Sequence, residues 1–352
     1  MPTTDWKIYR GESKPDERFR AILADDDYCP PWRNFARERY PDQATREQAI
    51  ARSGAIPPEP DGRGQVFVPD DPMTDMVNAA LYLRRPLLIT GQPGVGKSSL
   101  IHSVAHELKL GRVLRWPITS RSTLREGQYQ YDAIGRLQEW HLKKMQMEST
   151  GGRQEIELDI GEYLSLGPLG TAMLPWAHPR ALLIDEVDKG DPDLANDLLN
   201  VLEEGEFEIP ELARLAKKPE LAEIAIPTAD GGEHAATIVR GRVRCLHFPF
   251  VILTSNGERD FPPAFLRRCL HLKVEEPEPE KLWPIVQSHL GDKVETEAGA
   301  IIETFVRLRN EGLRTNDQLL QAVFLLTRDF SIADETYREQ LLEKLLNPLT
   351  RR

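Results

Sequence analysis

The chain has 352 residues, 40% apolar and 29% charged, with a formal net charge of −11. That length suits two domains and a small third element, and the composition excludes wholesale disorder. No run approaches the ~20 apolar residues of a membrane span, the start carries no apolar signal segment, and the acidic balance argues against a general binder of nucleic-acid backbone, so a cytoplasmic protein away from the membrane is expected.

Residues 1 to 64 read as a proline-rich N-terminal extension. Cys29-Pro30-Pro31-Trp32 and Ile56-Pro57-Pro58-Glu59-Pro60-Asp61-Gly62 fit neither regular helix nor central strand, and one short helix is predicted over Ala44–Arg52. Its scattered aromatics, among them Trp6, Tyr9 and Trp32, call for a packing surface, on this chain or on a partner. From Gln65 the texture changes. Val66–Val68 reads as a short strand, Asp75–Leu83 as a helix, Arg85–Thr90 as an apolar strand and Ser98–Leu108 as an amphipathic helix. Val113–Trp116, Ala181–Ile184 and Phe250–Leu253 are further short apolar runs, which in alternation with helices predict a buried parallel sheet. Glu275-Glu276-Pro277-Glu278-Pro279-Glu280 reads as a linker. Helices are then predicted over about Lys281–Leu290, Thr296–Glu311, Asn316–Arg328 and Asp334–Leu346. The expected architecture is an α/β domain over 65–275 and a small all-helical domain over 276–352.

The chemistry concentrates in a few stretches. Gly91-Gln92-Pro93-Gly94-Val95-Gly96-Lys97-Ser98, followed by Ser99, matches G-x-x-x-x-G-K-[ST] between a strand and a helix. Glycines there let backbone amides turn onto phosphate oxygens, Lys97 reaches the outer phosphates, and the Ser98 hydroxyl suits Mg²⁺. Leu182-Leu183-Ile184-Asp185-Glu186 ends a strand in two acids. Asp185 is the expected metal ligand and Glu186 the expected general base; Asp188 stays open between a supporting acid and a surface residue. The strand Phe250–Leu253 runs into Thr254-Ser255-Asn256, where Asn256 is placed to orient a water. Arg267-Arg268-Cys269 suggests an arginine finger acting on a neighbouring subunit, Arg268 first and Arg267 second. Arg314, before the Asn316 helix, is a candidate sensor reaching back to the γ-phosphate. Three dispersed cysteines, Cys29, Cys245 and Cys269, make neither a disulfide framework nor a zinc site, and the eight histidines show no metal spacing.

These stretches, in this order, resemble the AAA+ ATPases from about Gln65 to Arg352, a P-loop core followed by a helical lid. Within them the chain is most similar to the MoxR-type branch, because of two long inserts: Thr119–Asp132, and the segment from Gly205 to Arg244, expected to be a hairpin. The finger region departs from the Asp-Arg-Phe common in the branch, and its Arg-Cys ending looks more like clamp-loader subunits. The resemblance implies ATP and Mg²⁺ as cofactors, ATP hydrolysis, a homo-oligomer (a hexamer), and a protein client or von Willebrand A-type partner. Two other functions stay open. One is a nucleic-acid motor or loader using Arg112, Arg115, Arg121 and Arg125 with Trp116, Tyr129 and Tyr131. The other is a slowly hydrolysing assembly switch of a bacterial defence-type system.

Overall fold

Short apolar runs bounded by turn residues become strands covered on both faces, and the alternation with helices fixes their parallel sense. The computed structural model describes residues 6–60, 64, 66–150, 158–291, 295–309, 314–327 and 335–347. Of the features read from sequence, residues 1–5, Asp61, Gly62, Gln65, Glu311, Gly312, Leu313, Arg328, Asp334 and Arg352 lie outside the described residues.

The N-terminal extension holds α1 (Glu17–Ala24), α2 (Phe35–Arg39) and α3 (Gln43–Ser53), and the core begins with α4 (Asp71–Leu83), β1 (Leu87–Thr90), α5 (Ser99–Glu107) and β2 (Leu114–Pro117). The first insert runs through α6 (Leu124–Gln128), β3 (Tyr129–Tyr131), α7 (Ala133–Thr150), β4 (Leu164–Leu166) and α8 (Pro168–Ala172). Next come β5 (Ala181–Asp185) and α9 (Pro192–Glu204), then a second insert of β6 (Glu206–Glu208), α10 (Pro210–Leu215), β7 (Glu223–Pro227), β8 (Ala235–Val239) and β9 (Arg242–Arg244). The core closes with β10 (Phe250–Ser255), α11 (Pro263–Leu266) and β11 (Leu270–Lys273); α12 (Pro279–Leu290), α13 (Glu295–Arg309), α14 (Asn316–Leu326) and α15 (Glu335–Leu345) follow as a helical lid.

The main sheet is parallel, in the order β11-β1-β10-β5-β2. Successive side chains point to opposite faces. Leu87 and Ile89 join Leu183 and Ile252 in one core with α4 and α5, while Leu88 joins Leu182, Ile184 and Leu253 in the other with α8 and α9. Each such side chain contributes about 1.5–3 kcal/mol by leaving water. The register sets Thr90 beside Ser255, Leu253 beside Ile184, and Pro117 beside Asp185. The carboxyl ends of β1, β10 and β5 therefore lie together, where open α/β sheets bind ligands.

Three expectations need correction. Val66–Val68 is no strand: the place beside β1 is taken by β11, a four-residue edge strand too short and too polar to stand out in the sequence. The second insert is more than a hairpin: β6-β9-β8-β7 form a four-stranded antiparallel sheet. The first insert continues well beyond Asp132, through α7 and the β3–β4 pair.

The extension packs on its own chain. The amides of Ile8 and Tyr9 donate to Asn78 Oδ1 at 2.7 and 3.0 Å, Asn78 Nδ2 donates to Tyr9 O at 2.7 Å, and the Tyr9 hydroxyl meets Ser103 Oγ at 2.9 Å. Further on, Arg33 and Arg39 donate to the carbonyls of Leu202 and Gly205 at 2.8 and 2.9 Å, satisfying groups left over at the end of α9. The chain then returns to β2, where the Val113 amide donates to Glu59 Oε2 at 2.7 Å. Among the described residues no helix is long and apolar enough to cross a membrane.

Candidate functional site

The phosphate loop leaves β1 and turns at Pro93-Gly94 before α5. Gly94 and Gly96 have φ of 78° and 90°, where side chains are disfavoured. Space also requires them: a Cβ on Gly94 would lie 2.5 Å from Thr315 Cβ, and one on Gly96 would lie 3.1 Å from the Phe67 ring. Lys97 is 8% exposed. Its ammonium donates to Gly91 O at 2.7 Å, Gln92 O at 2.8 Å and Asn256 Oδ1 at 2.8 Å. Desolvation lowers its pKa, against the opposing pull of Asp188, Asp185 and Glu186.

Asp185 closes β5 directly opposite. Its Oδ1 accepts from Ser98 Oγ at 2.9 Å and Thr254 Oγ1 at 2.7 Å; Oδ2 accepts from Arg115 Nη2 at 2.6 Å. Burial pushes this carboxyl up, but the hydrogen bonds from Thr254, Arg115 and Ser98 outweigh it and hold the acid below its ordinary value. Glu186 follows with φ 59° and ψ 48°, a left-handed conformation for a non-glycine residue. Such a backbone costs of order 1–3 kcal/mol and persists where its surroundings over-determine it. Here the Glu186 amide donates to Thr254 Oγ1 at 2.9 Å, Lys189 Nζ donates to Glu186 Oε2 at 2.8 Å, and Asn256 Nδ2 donates to Oε1 at 3.3 Å. Asn256 thus bridges Lys97 and Glu186.

Thr254 and Arg115 gain a place that sequence reading did not give them, and Asp188 takes one of the two it was offered. Thr254 ties Asp185 to the Glu186 amide, through a hydroxyl whose partners only the β5–β10 register reveals. Asp188 is no surface acid: it is 3% exposed, and its Oδ2 accepts from the amides of Asn256 and Glu258, both at 3.0 Å. Arg115, one of the residues read as a basic nucleic-acid patch, sits on Asp185. Of that patch's aromatics, Trp116 and Tyr129 are buried at 5% and 4% exposure, and Arg125 pairs with Glu211 at 2.7 Å.

Neither finger candidate joins this cluster through a hydrogen bond among the described residues. Arg268 pairs with Glu203 of α9, and exposed Arg267 adjoins it; Arg85 donates to the backbone carbonyls of both. Arg314 is turned into the lid, 6% exposed, with its guanidinium donating to Leu346 O at 2.7 Å and to Leu308 O. The structure does not bring it to the phosphate loop; Thr315 approaches Gly94 instead. Between core and lid lies a cavity of about 560 Å³, lined on one side by Val66–Asp70 and Gly94–Gly96, and on the other by Ile285, His289 and Leu320. Gln92 supplies a carbonyl to Lys97, and Val95 and Ser99 border the cavity.

Residues 86–269 match the AAA domain family, dynein-related subfamily. The chain belongs to that family. It is an AAA+ protein, and AAA domains typically hydrolyse ATP. Among curated proteins none matches the chain. Of solved structures, domain III of the replication initiation protein DnaA of Thermotoga maritima is similar, with a TM-score of 0.38, 15% identity, and 83% of this chain and 100% of that one covered. In this AAA+ protein the matched span runs from just before β1 to just before β11, and so contains every residue of the Lys97–Asp185–Glu186–Asn256 cluster.

Proposed function

We propose that this AAA+ protein binds ATP with Mg²⁺, hydrolyses it, and uses the cycle as an oligomer to remodel a protein client. The observation that carries the reading is the continuous hydrogen-bonded set Ser98–Asp185–Thr254–Glu186–Asn256–Lys97, which joins the phosphate loop to two acids. The residues fit the cofactor. Ser98 Oγ and the ionised Asp185 offer adjacent hard oxygens of the kind Mg²⁺ selects. Among the described residues no His, Cys, Asp or Glu cluster would hold a metal by itself, and a Mg²⁺ bound mostly through phosphates and water needs none. Asp188 Oδ1, buried without a hydrogen-bond partner among the described residues, marks a polar demand next to Lys97.

In this reading Lys97 exchanges its carbonyl partners for phosphate oxygens, and Ser98 and Asp185 hold Mg²⁺. When bound, Mg²⁺ neutralises charge developing on the phosphates. Glu186 accepts a proton from the attacking water, and Asn256 orients both. Glu186, in its left-handed conformation just past β5, has its carboxylate within reach of Asn256. Arg268, or Arg267 beside it, completes the site of a neighbouring subunit. The two inserts favour a MoxR-type assembly, a hexamer working with a von Willebrand A-type partner. The buried Trp116 and Tyr129 count against a nucleic-acid motor, because neither ring is free to stack a base.

The test is Glu186→Gln. It should bind ATP with Mg²⁺ like the unaltered chain while phosphate release falls to background, and it should trap the assembled form. Turnover close to the unaltered chain's removes Glu186 from its role; no nucleotide uptake by the unaltered chain ends the reading.

A further inference from the structure

Helix α12 turns one face to the cavity between core and lid. Lys281, Pro284, Ile285 and His289 line it, spaced as one side of a helix, while Leu282 and Val286 on the other side are buried in the lid. Opposite stand Val66, Phe67 and Val68. The walls are thus apolar, as a flat heterocycle requires, with few polar groups to choose among bases.

One of those groups has a fixed hydrogen-bonding sense. His289 Nδ1 lies 2.8 Å from Ile285 O. A carbonyl only accepts, so Nδ1 carries the proton. Ser288 Oγ donates to the same carbonyl at 2.9 Å and stands 3.2 Å from His289 Nδ1, so its oxygen is also left to accept from the ring. In the neutral imidazole Nε2 is therefore a bare acceptor. Since Nδ1 is held against the helix's own backbone, the Nε2 edge is the outer one, and the ring borders the cavity. Among the other charged groups at the rim acceptors outnumber donors: Asp70, Glu275, Glu276, Glu278 and Asp317 stand against the two cations Lys273 and Lys281. A bare Nε2 acceptor on an apolar wall, with acceptors in excess at the rim, matches a base that presents an amino group and opposes one that presents a carbonyl there.

We propose that His289 is the base-reading residue of this site, its Nε2 accepting from the exocyclic amine of adenine and meeting guanine's O6 as acceptor against acceptor. The inference rests on the proposed function for the location of the phosphates, and adds what selects the base. A hydrogen bond that distinguishes two ligands discriminates most when its loss leaves a polar group unpaired.

The experiment measures the affinities of ADP and GDP, each with Mg²⁺, for the full-length chain; diphosphates present the same bases without turnover. The unaltered chain should prefer ADP. His289→Ala should lower the ADP:GDP affinity ratio about 3- to 10-fold, as expected for one hydrogen bond, with the loss on the ADP side. His289→Arg, which offers only donors, should carry the ratio further toward GDP. The ratio is taken within each variant, so a partly misfolded preparation does not change it. If both diphosphates bind and neither substitution moves the ratio, the inference is overturned while the proposed function stands. If Asp317→Ala moves the ratio and His289→Ala does not, another acceptor reads the base and the inference is overturned. If neither diphosphate binds the unaltered chain, the proposed function fails and this inference with it.

Discussion

Replacing Thr254 by valine isolates the contact that joins the two acids of the site. The side chains are nearly isosteric, so the core on either side of β10 keeps its volume, and only a hydroxyl is lost. That hydroxyl donates to Asp185 Oδ1 at 2.7 Å and accepts from the Glu186 amide at 2.9 Å, in a position 1% exposed. A hydrogen bond to a charged group contributes about 1.5–3 kcal/mol, and a buried amide left unpaired costs about 1–3 kcal/mol. The two effects share one hydroxyl and are not additive, so Thr254→Val should lose about 2–4 kcal/mol of stability. Asp185 also loses the foremost of the hydrogen bonds that oppose its burial, so its pKa should rise. Weaker Mg²⁺-dependent ATP binding, by about tenfold for each 1.4 kcal/mol, should follow. Urea unfolding at constant m-value reads the first quantity, and titration of ATP binding against Mg²⁺ reads the second. Thr254→Ser, which keeps the hydroxyl, should recover most of the metal dependence. A Thr254→Val protein within about 0.5 kcal/mol of the unaltered chain, with the same Mg²⁺ dependence, would refute the reasoning.

Lys97→Ala should weaken ATP binding by ~100-fold or more, the loss expected for a charge-assisted contact with phosphate; unchanged affinity in equilibrium titration contradicts its role. Arg268→Ala alone should cut turnover by about 10³-fold if it is the finger, and mixing it with Lys97→Ala subunits should restore activity at mixed interfaces; no rescue at any ratio argues against action between subunits. His178 is buried, and desolvation pushes its pKa down to about 4. The unfolded chain then binds a proton that the folded chain refuses, so stability should be full above about pH 6.5 and fall toward about pH 4, by up to ~3 kcal/mol. Unfolding midpoints measured between these limits should show a shallower decline in His178→Gln, and an identical decline rules the histidine out as a source.

The phosphate loop was legible in the sequence because its chemistry depends on local spacing: two glycines, a lysine and a serine within one turn and a helix start. Asp185, Glu186 and Asn256 were legible because buried strands announce themselves and end in polar residues. Partners set by register between distant strands were not legible. Arg115 is separated from Asp185 by 70 residues, and only the alignment of Pro117 with Asp185 puts its guanidinium on that carboxylate. Asp188 stayed open between a supporting and a surface acid, because the amides that close on it, those of Asn256 and Glu258, come from the turn after β10. The second insert hid its four strands because each is only three to five residues long and its burial alternates without a long apolar run. Arg314 shows the opposite failure: a basic residue at a helix start is a reasonable phosphate contact on paper, but the two lid carbonyls within reach of its guanidinium claim it.

The course of the first sixty residues bears on how this protein is to be handled. They are woven into the AAA+ core rather than appended to it: Tyr9 and Leu23 fill the hydrophobic layer above α4 and α5, and Asn78, Ser103 and Glu107 take their partners from that stretch. A truncation that begins at the nucleotide-binding segment would leave a greasy strip studded with unsatisfied amide, hydroxyl and carboxyl groups. Poor solubility of such a fragment would then report the missing cover, and would say nothing about whether the engine beneath it works.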